Sequence, residues 1–269
     1  GVCSGESLSP VDRAQALHLL TYNVAGLPNA FSRSHPSVNH PIISAKLDDF
    51  DVVLVQEDFW HHDELSSLVT HAYASRPGLR GAFGVGDGLN RWADACFDGF
   101  GRTTWLHSHG ILRYANDSLA PKGFSVATHH LGGNVAVDIY NVHLDAGSAR
   151  GDARARAWQV DQLLRAVRSR SPARAVIVAG DWNLDYSQPE DRQLLLRFTR
   201  SLGLRDAADA LGIEDSRIDR VLYRSGDDVR IVVSSYRVER ERFRDAAGWP
   251  LSDHDAVAVR LLVGPASSR

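Results

Sequence analysis

Six times along this chain of 269 residues, an apolar run short enough for a strand is closed or opened by an acidic, amide or imidazole side chain. Residues 17–24 (LHLLTYNV) end around Asn23, and residues 51–56 (DVVLVQ) lead into Glu57. Residues 135–142 lead into His143, and residues 175–179 into Asp181 and Asn183. Later, Asp219 lies in the run 217–223, and Asp253 and His254 directly precede the run 256–263. Short runs rich in β-branched residues read as buried strands. Taken singly, each polar residue has a bland explanation. A Glu after a strand is commonly solvated, a His is hydrogen-bonded, and an Asp before a strand belongs to a turn. Repeated in this way, they predict one constellation gathered at one sheet edge.

The rest of the pattern supplies the layers. Helical spacing is read at 41–50, 61–73, 152–169 and 190–202. The helix at 152–169 is the clearest, with Ala153, Ala157, Val160, Leu163, Leu164 and Val167 on one face and arginines on the other. Further strands are read at 110–114, 123–130 and 229–235, with Gly132-Gly133-Asn134 as a hairpin connection. Residues 74–106 carry seven glycines together with Phe83, Trp92, Phe97, Phe100 and Trp105, and read as a long irregular segment. Its aromatics either pack among themselves or meet substrate. Strands outnumber helices, and helices fall between strand groups. The expectation is an α+β fold, a four-layer α/β/β/α sandwich of two packed mixed sheets. Residues 1–16 form an N-terminal arm, and 17–269 one catalytic domain.

Composition narrows the function. The formal charge of −3 argues against a protein whose main task is tight nucleic-acid binding, since phosphate neutralisation needs a basic excess. It leaves room for a nuclease that binds briefly. No apolar run approaches the ~20 residues of a spanning helix. The basic residues are nearly all Arg, with Lys46 and Lys122 the two lysines. Cys3 and Cys96 are the two cysteines and invite a disulfide. The sequence has no Met, so the chain is expected to start after a removed segment, a cleaved signal peptide being one explanation. A secreted or extracytoplasmic monomer is expected.

In their order along the chain, the motifs TYNV, QE, NVHL, GDWN, IDRVL and SDHD resemble those of the endonuclease/exonuclease/phosphatase superfamily. That superfamily includes deoxyribonucleases, abasic-site endonucleases, inositol-polyphosphate 5-phosphatases and neutral sphingomyelinases. The resemblance covers about residues 17–263, and GDWN and SDH are its most specific pieces. It implies a metal-dependent phosphodiesterase using Mg²⁺, with Mn²⁺ or Ca²⁺ as alternatives. Residue by residue, it implies Glu57 as principal metal ligand, with Asn23 and Asp253 helping to hold the ion. His254 would act as general base or stabilise charge on phosphate, with Asp219 orienting it. His143 would hydrogen-bond the phosphoryl oxygens. Asp181 and Asn183 would position the nucleophile or protonate the leaving group. The chemistry agrees: hard oxygen ligands suit Mg²⁺, which acts as Lewis acid and template. No Cys–His cluster points to zinc.

Substrate is the less legible part. Lys122-Gly123-Phe124 and Asn141–Leu144 are similar to segments of secreted sphingomyelinases. Asp145-Ala146-Gly147, His109-Gly110 and Asp255 depart from them. The first expectation is a secreted sphingomyelinase- or phospholipase C-like enzyme acting on lipid head groups. The alternatives are a secreted nuclease, a small-molecule phosphatase, or, from another class, a silent binding module. Aromatics within 78–105 are expected to give a peripheral membrane contact.

Overall fold

The structure, a computed structural model, describes residue 3 and residues 14–27, 35–79, 86–110 and 121–266. Twelve strands among the described residues form two six-stranded sheets. The first contains β1 (Gln15–Asn23), β2 (Val52–Gln56), β3 (Tyr73–Ala74), β4 (Asn90–Ala93), β11 (Val229–Val238) and β12 (Val257–Pro265), in the order β11-β12-β1-β2-β4-β3. The second contains β5 (Phe97–Thr104), β6 (Gly123–His130), β7 (Ala136–His143), β8 (Ala175–Asp181), β9 (Arg205–Asp206) and β10 (Asp219–Arg224), in the order β5-β6-β7-β8-β10-β9. Both sheets are mixed: β1 runs parallel to β2 and antiparallel to β12, and β7 runs parallel to β8 while β10 opposes it.

Three apolar cores account for four layers. One lies between the sheets, built from Leu17, Leu19, Val52, Leu54, Ile139, Ile177, Val221 and their neighbours. A second packs β6, β7, β8 and β10 against α3 (Arg150–Arg170) and α4 (Pro189–Leu202) through Val160, Leu163, Phe198 and Trp182. A third packs β1, β2, β4 and β12 against α1 (Pro36–Ser44) and α2 (His62–Ser66) through Ile43, Leu47 and Leu65. The expected α/β/β/α sandwich is therefore present. Period-two alternation divides each central strand between cores. On β1, Leu17 and Leu19 face the other sheet, while Leu20 and Tyr22 face the helices.

Several expectations need correction. The irregular segment at 74–106 contains β4 and β5, with a bulge between Asp98 and Gly101 that absorbs Gly99 at φ +56°. Its described aromatics are interior. Trp92, Phe97 and Trp105 are buried in three different cores, and Phe100 packs against the inter-sheet core. The packing explanation holds for them, because strand alternation takes large apolar rings inward. Phe83 and residues 111–114 of the expected strand at 110–114 lie outside the described residues. The helix expected at 41–50 starts earlier, at Pro36, since proline suits the first helical turn; Leu47–Asp49 form a separate 3-10 turn. The helix expected at 61–73 is confined to His62–Ser66, because the chain then turns into β3 to pair with β4. The α3 face is also less apolar than expected. Asp152, Arg156 and Gln159 are buried there, where they hold the loops after β5 and β7.

The Cα atoms of Cys3 and Cys96 are 5.6 Å apart, with the Sγ atoms in bonding contact. No helix among the described residues is long and apolar enough to cross a membrane.

Candidate active site

The parallel pairs β1/β2 and β7/β8 carry their C-terminal ends to the same edge of the sandwich. Register brings Asn23 opposite Gln56, His143 opposite Asp181, and Asp181 opposite Asp219. Alternation then aims these side chains between the sheets. Asn23 follows Leu17 and Leu19, Asp181 follows Ile177 and Ala179, and His143 follows Val137 and Ile139. The two sheets thus contribute facing halves of one site.

Asn23 stands at its centre. Its Oδ1 accepts the Ala25 N–H at 3.1 Å, which turns the amide nitrogen inward. That Nδ2 lies 3.0 Å from Glu57 Oε1, 3.0 Å from Asp181 Oδ2 and 3.4 Å from His254 Nε2. His143 Nε2 is 3.7 Å from Glu57 Oε1 and 3.5 Å from Asp181 Oδ2. On the far side His254 Nδ1 meets Asp219 Oδ2 at 2.9 Å, and its Nε2 lies 3.8 Å from Asp181 Oδ2. Ser252 Oγ donates to Asn23 O and accepts the His254 N–H, so the loop before β12 is tied to the end of β1.

Unusual backbone surrounds these groups. Among the described non-glycine residues with positive φ, Ala25, Glu57 and Asn183 belong to or adjoin the site, at +49°, +59° and +47°. Such conformations cost roughly 1–3 kcal/mol each and persist where surroundings over-determine them. At Glu57 the consequence is specific. Gln56 points toward the other sheet, so strict alternation would send Glu57 to the helix layer; the left-handed turn returns its carboxylate to Asn23. Before Asp181, Gly180 has φ +146°, and a Cβ there would fall 2.0 Å from Val142 O. This explains the glycine of GDWN. Its tryptophan, Trp182, anchors the turn in the core beneath α4.

Electrostatics follow from the crowding. Burial pushes the Glu57 carboxyl above its ordinary value, against the pull of Lys122 and of the Asn23 hydrogen bond. Burial, reinforced by Asp219, likewise raises Asp181. Burial, then the charges of Lys122 and His254, hold His143 well below the usual imidazole range. Burial opposes a proton on His254, but the hydrogen bond and charge of Asp219, with Asp181 and Asp253 behind it, push it up to about 10. In the metal-free site His143 is neutral and His254 cationic at neutral pH.

The sequence-predicted residues are not all placed alike. Asn23, Glu57, His143, Asp181, Asp219 and His254 come together. Asn183 contributes its backbone N–H to Asp181 Oδ1, while its side chain is spent on Leu144 O. Asp253 is exposed at the rim, beside Ser252. Lys122, absent from the expected site, is buried and its charge reaches Glu57, His143 and Asp181. Its rarity as a lysine in an arginine-rich chain, and the resemblance of Lys122-Gly123-Phe124 to sphingomyelinase segments, are the signals in the sequence.

The donor set suits a hard divalent cation. Buried carboxylates crowd together, and among the described residues Asp219 Oδ1 is buried without a hydrogen-bond partner and no thiolate is near. Donor atoms of Asp181, Asp219 and His254 lie within 4.8 Å of one another. Asn23, as oriented, bridges carboxylates with its nitrogen rather than offering oxygen.

Known proteins share this fold. The chain is 32% identical over 263 residues to a sphingomyelinase of Mycobacterium bovis, an alignment covering 90% of this chain and 51% of that protein. It thus spans about half the length of the curated relatives it matches. Among solved structures, sphingomyelinase C from Streptomyces griseocarneus superposes with a TM-score of 0.67 at 18% identity, covering 91% of this chain and 99% of the other. A Staphylococcus aureus beta toxin mutant with bound magnesium ions gives 0.67 at 16% identity, covering 91% and 99%. At such identities these structures establish the fold alone. The profile of the Endonuclease/Exonuclease/phosphatase family extends over residues 20–254, from the strand that ends in Asn23 to His254 itself. Every side chain that meets at the sheet edge falls within that span, and the chain belongs to this family.

Proposed function

We propose that this chain is a Mg²⁺-dependent phosphodiesterase acting on a sphingomyelin-type lipid head group. The observation that carries the reaction class is the pair of carboxylates, half-buried Glu57 and buried Asp181, bridged by Asn23 and faced by the His254–Asp219 pair. The mycobacterial relative supports the substrate class. The formal charge of −3 favours it over nucleic acid.

Glu57 would hold the cation from the first sheet, with Asn23 orienting its carboxylate through the amide nitrogen and Asp253 at the rim. When bound, Mg²⁺ supplies Lewis-acid polarisation of the phosphoryl group and neutralises its charge. Asp181 has a raised proton affinity and a carboxylate oriented by the Asn183 N–H, which suits it to take the proton of the attacking water. His254 carries a proton held by Asp219, which suits it to donate toward phosphoryl or leaving-group oxygen. His143 is neutral, with neither ring nitrogen hydrogen-bonded among the described residues, which suits it to bind a phosphoryl oxygen. Lys122 adds positive charge on the same side.

Exposed aromatics near this end include Trp60, three residues after Glu57, and Trp249, which shares a depression with Ser252 and Asp253. These, rather than Trp92 and Phe97, would meet a lipid surface. The Cys3–Cys96 bridge fits an exported enzyme.

The test is a substrate panel of sphingomyelin vesicles, phosphatidylcholine vesicles, plasmid DNA and bis-para-nitrophenyl phosphate, each with Mg²⁺, Mn²⁺, Ca²⁺ or EDTA. Phosphocholine release from sphingomyelin, lost in EDTA and restored by Mg²⁺, is expected. DNA cleavage without phosphocholine release would overturn the substrate class, and full activity in EDTA the mechanism.

A further inference from the structure

Glu57 reaches the site because its backbone is left-handed, so whatever enforces that conformation controls the metal. Its carbonyl accepts two N–H groups, from Gly26 at 3.0 Å and Phe59 at 2.8 Å, and the Asp58 N–H is held by Gly88 O at 3.1 Å. Gly88 is itself at φ +68°; a Cβ there would lie 3.0 Å from Glu57 Cα and 2.6 Å from the Phe59 ring. The backbone of the turn is therefore enclosed on both sides.

The side chain following Glu57 closes the socket. Asp58 is buried, and its Oδ2 faces Asn90 Nδ2 at 2.7 Å and His62 Nδ1 at 2.5 Å. Asn90 cannot turn its amide around at no cost, because Arg102 and Ser75 Oγ already donate to its Oδ1, at 2.7 and 3.3 Å. Arg102 is gripped in turn by Asp87 and by Leu89 O. The His62 ring stacks on Trp92 with an interplanar angle of 10°. His62 belongs to α2, Asn90 to β4 of the first sheet, and Arg102 to β5 of the second. Three elements from different layers thus converge on the residue next to Glu57.

We propose that Asp58, with His62 and Asn90, is the positioning device that holds Glu57 in its metal-binding conformation. The inference rests on the reading of Glu57 as the principal metal-holding carboxylate. None of the three touches the reacting groups; they act through the Glu57–Asp58 peptide. Without the Asp58 anchor, Glu57 relaxes toward extended backbone and its carboxylate swings toward the helix layer, away from Asn23.

The experiment titrates the whole chain with Mn²⁺ alone, followed by electron paramagnetic resonance, with circular dichroism to verify folding. Asp58→Asn removes the charge that both donors meet and sets amide hydrogens at the buried Oδ1 position, which has no hydrogen-bond partner among the described residues. It should weaken Mn²⁺ binding by about 10-fold or more, as loss of hydrogen-bond partners that orient metal ligands does. Because that variant changes a buried site, His62 supplies an independent pair. His62→Gln keeps a donor and loses the stacked ring, and should bind within about twofold of wild type; His62→Phe keeps the ring and loses the donor, and should weaken binding several-fold. The reverse order, Phe benign and Gln impaired, would show packing alone and overturn the proposal. Glu57→Gln separates the two readings. If it binds Mn²⁺ as wild type does, the metal assignment falls and the positioning role with it. If it loses Mn²⁺ while Asp58→Asn and His62→Phe do not, only the positioning role falls.

Discussion

Replacing Asp219 by Asn tests the electrostatics of the site most directly, because one carboxylate oxygen 2.9 Å from His254 Nδ1 leads the effects that hold the proton there. Moving an imidazole from an ordinary value of about 6.5 to about 10 corresponds to ~5 kcal/mol in favour of the charged ring. Asp219 acts through both hydrogen bond and charge, with Asp181 and Asp253 contributing behind it. Asp219 leads the raising effects and burial opposes them, so its loss should lower the His254 value markedly. Histidine-labelled protein in EDTA, followed by NMR across pH, reads this value directly. Stability should follow with a definite sign. The folded value lies above the unfolded one, so the contribution of His254 is fully present below pH ~6.5 and disappears as pH rises toward 10. The stability gap between metal-free wild type and Asp219→Asn should therefore be widest near pH 6 and narrow steadily to pH 10. With Mg²⁺ restored, kcat should fall by about 10²-fold or more, the scale of a misplaced proton donor. A wild-type His254 that titrates near 6.5, or one unmoved by the substitution, would refute the reasoning.

Three further outcomes are expected. Unfolded, unreduced protein should show no titratable thiol, and Cys96→Ser should cost ~2–4 kcal/mol in denaturant unfolding; two free thiols would exclude the bridge. Gly180→Ala places a Cβ 2.0 Å from Val142 O at a φ of +146°, and should destabilise by ~3 kcal/mol or more; an unchanged thermal midpoint would contradict the strand geometry that aims Asp181. Trp249→Ala and Trp60→Ala should reduce turnover of sphingomyelin in vesicles while sparing a small soluble diester, and equal loss on both substrates would remove these side chains from the lipid contact.

Much of the site is legible in the sequence, for a physical reason. Asn23, His143, Asp181 and Asp219 stand at the ends of short apolar runs, and a run of that length and composition reads as a buried strand from its sequence alone. The order of the motifs then joined six weak signals into one family. Strand length, alternation and motif order are local properties, and a linear sequence records them. What depends on contact between distant segments was not recorded. The glycines and aromatics of residues 74–106 looked irregular because β4 and β5 are defined by their partners, β2 and β6, and not by their own pattern. Lys122 became part of the site only when β6 was laid beside β7. Asp253, next to His254 in sequence, was turned outward at the rim. Glu57 shows the division most sharply. Its identity and its place after a strand were written in the chain, but alternation would have aimed it at the wrong layer. Only the tertiary surroundings, Gly26, Gly88 and the buried Asp58, hold the left-handed turn that brings its carboxylate to Asn23. A single backbone angle against the local preference needs contacts from several layers to maintain it, and those contacts exist only in the folded protein.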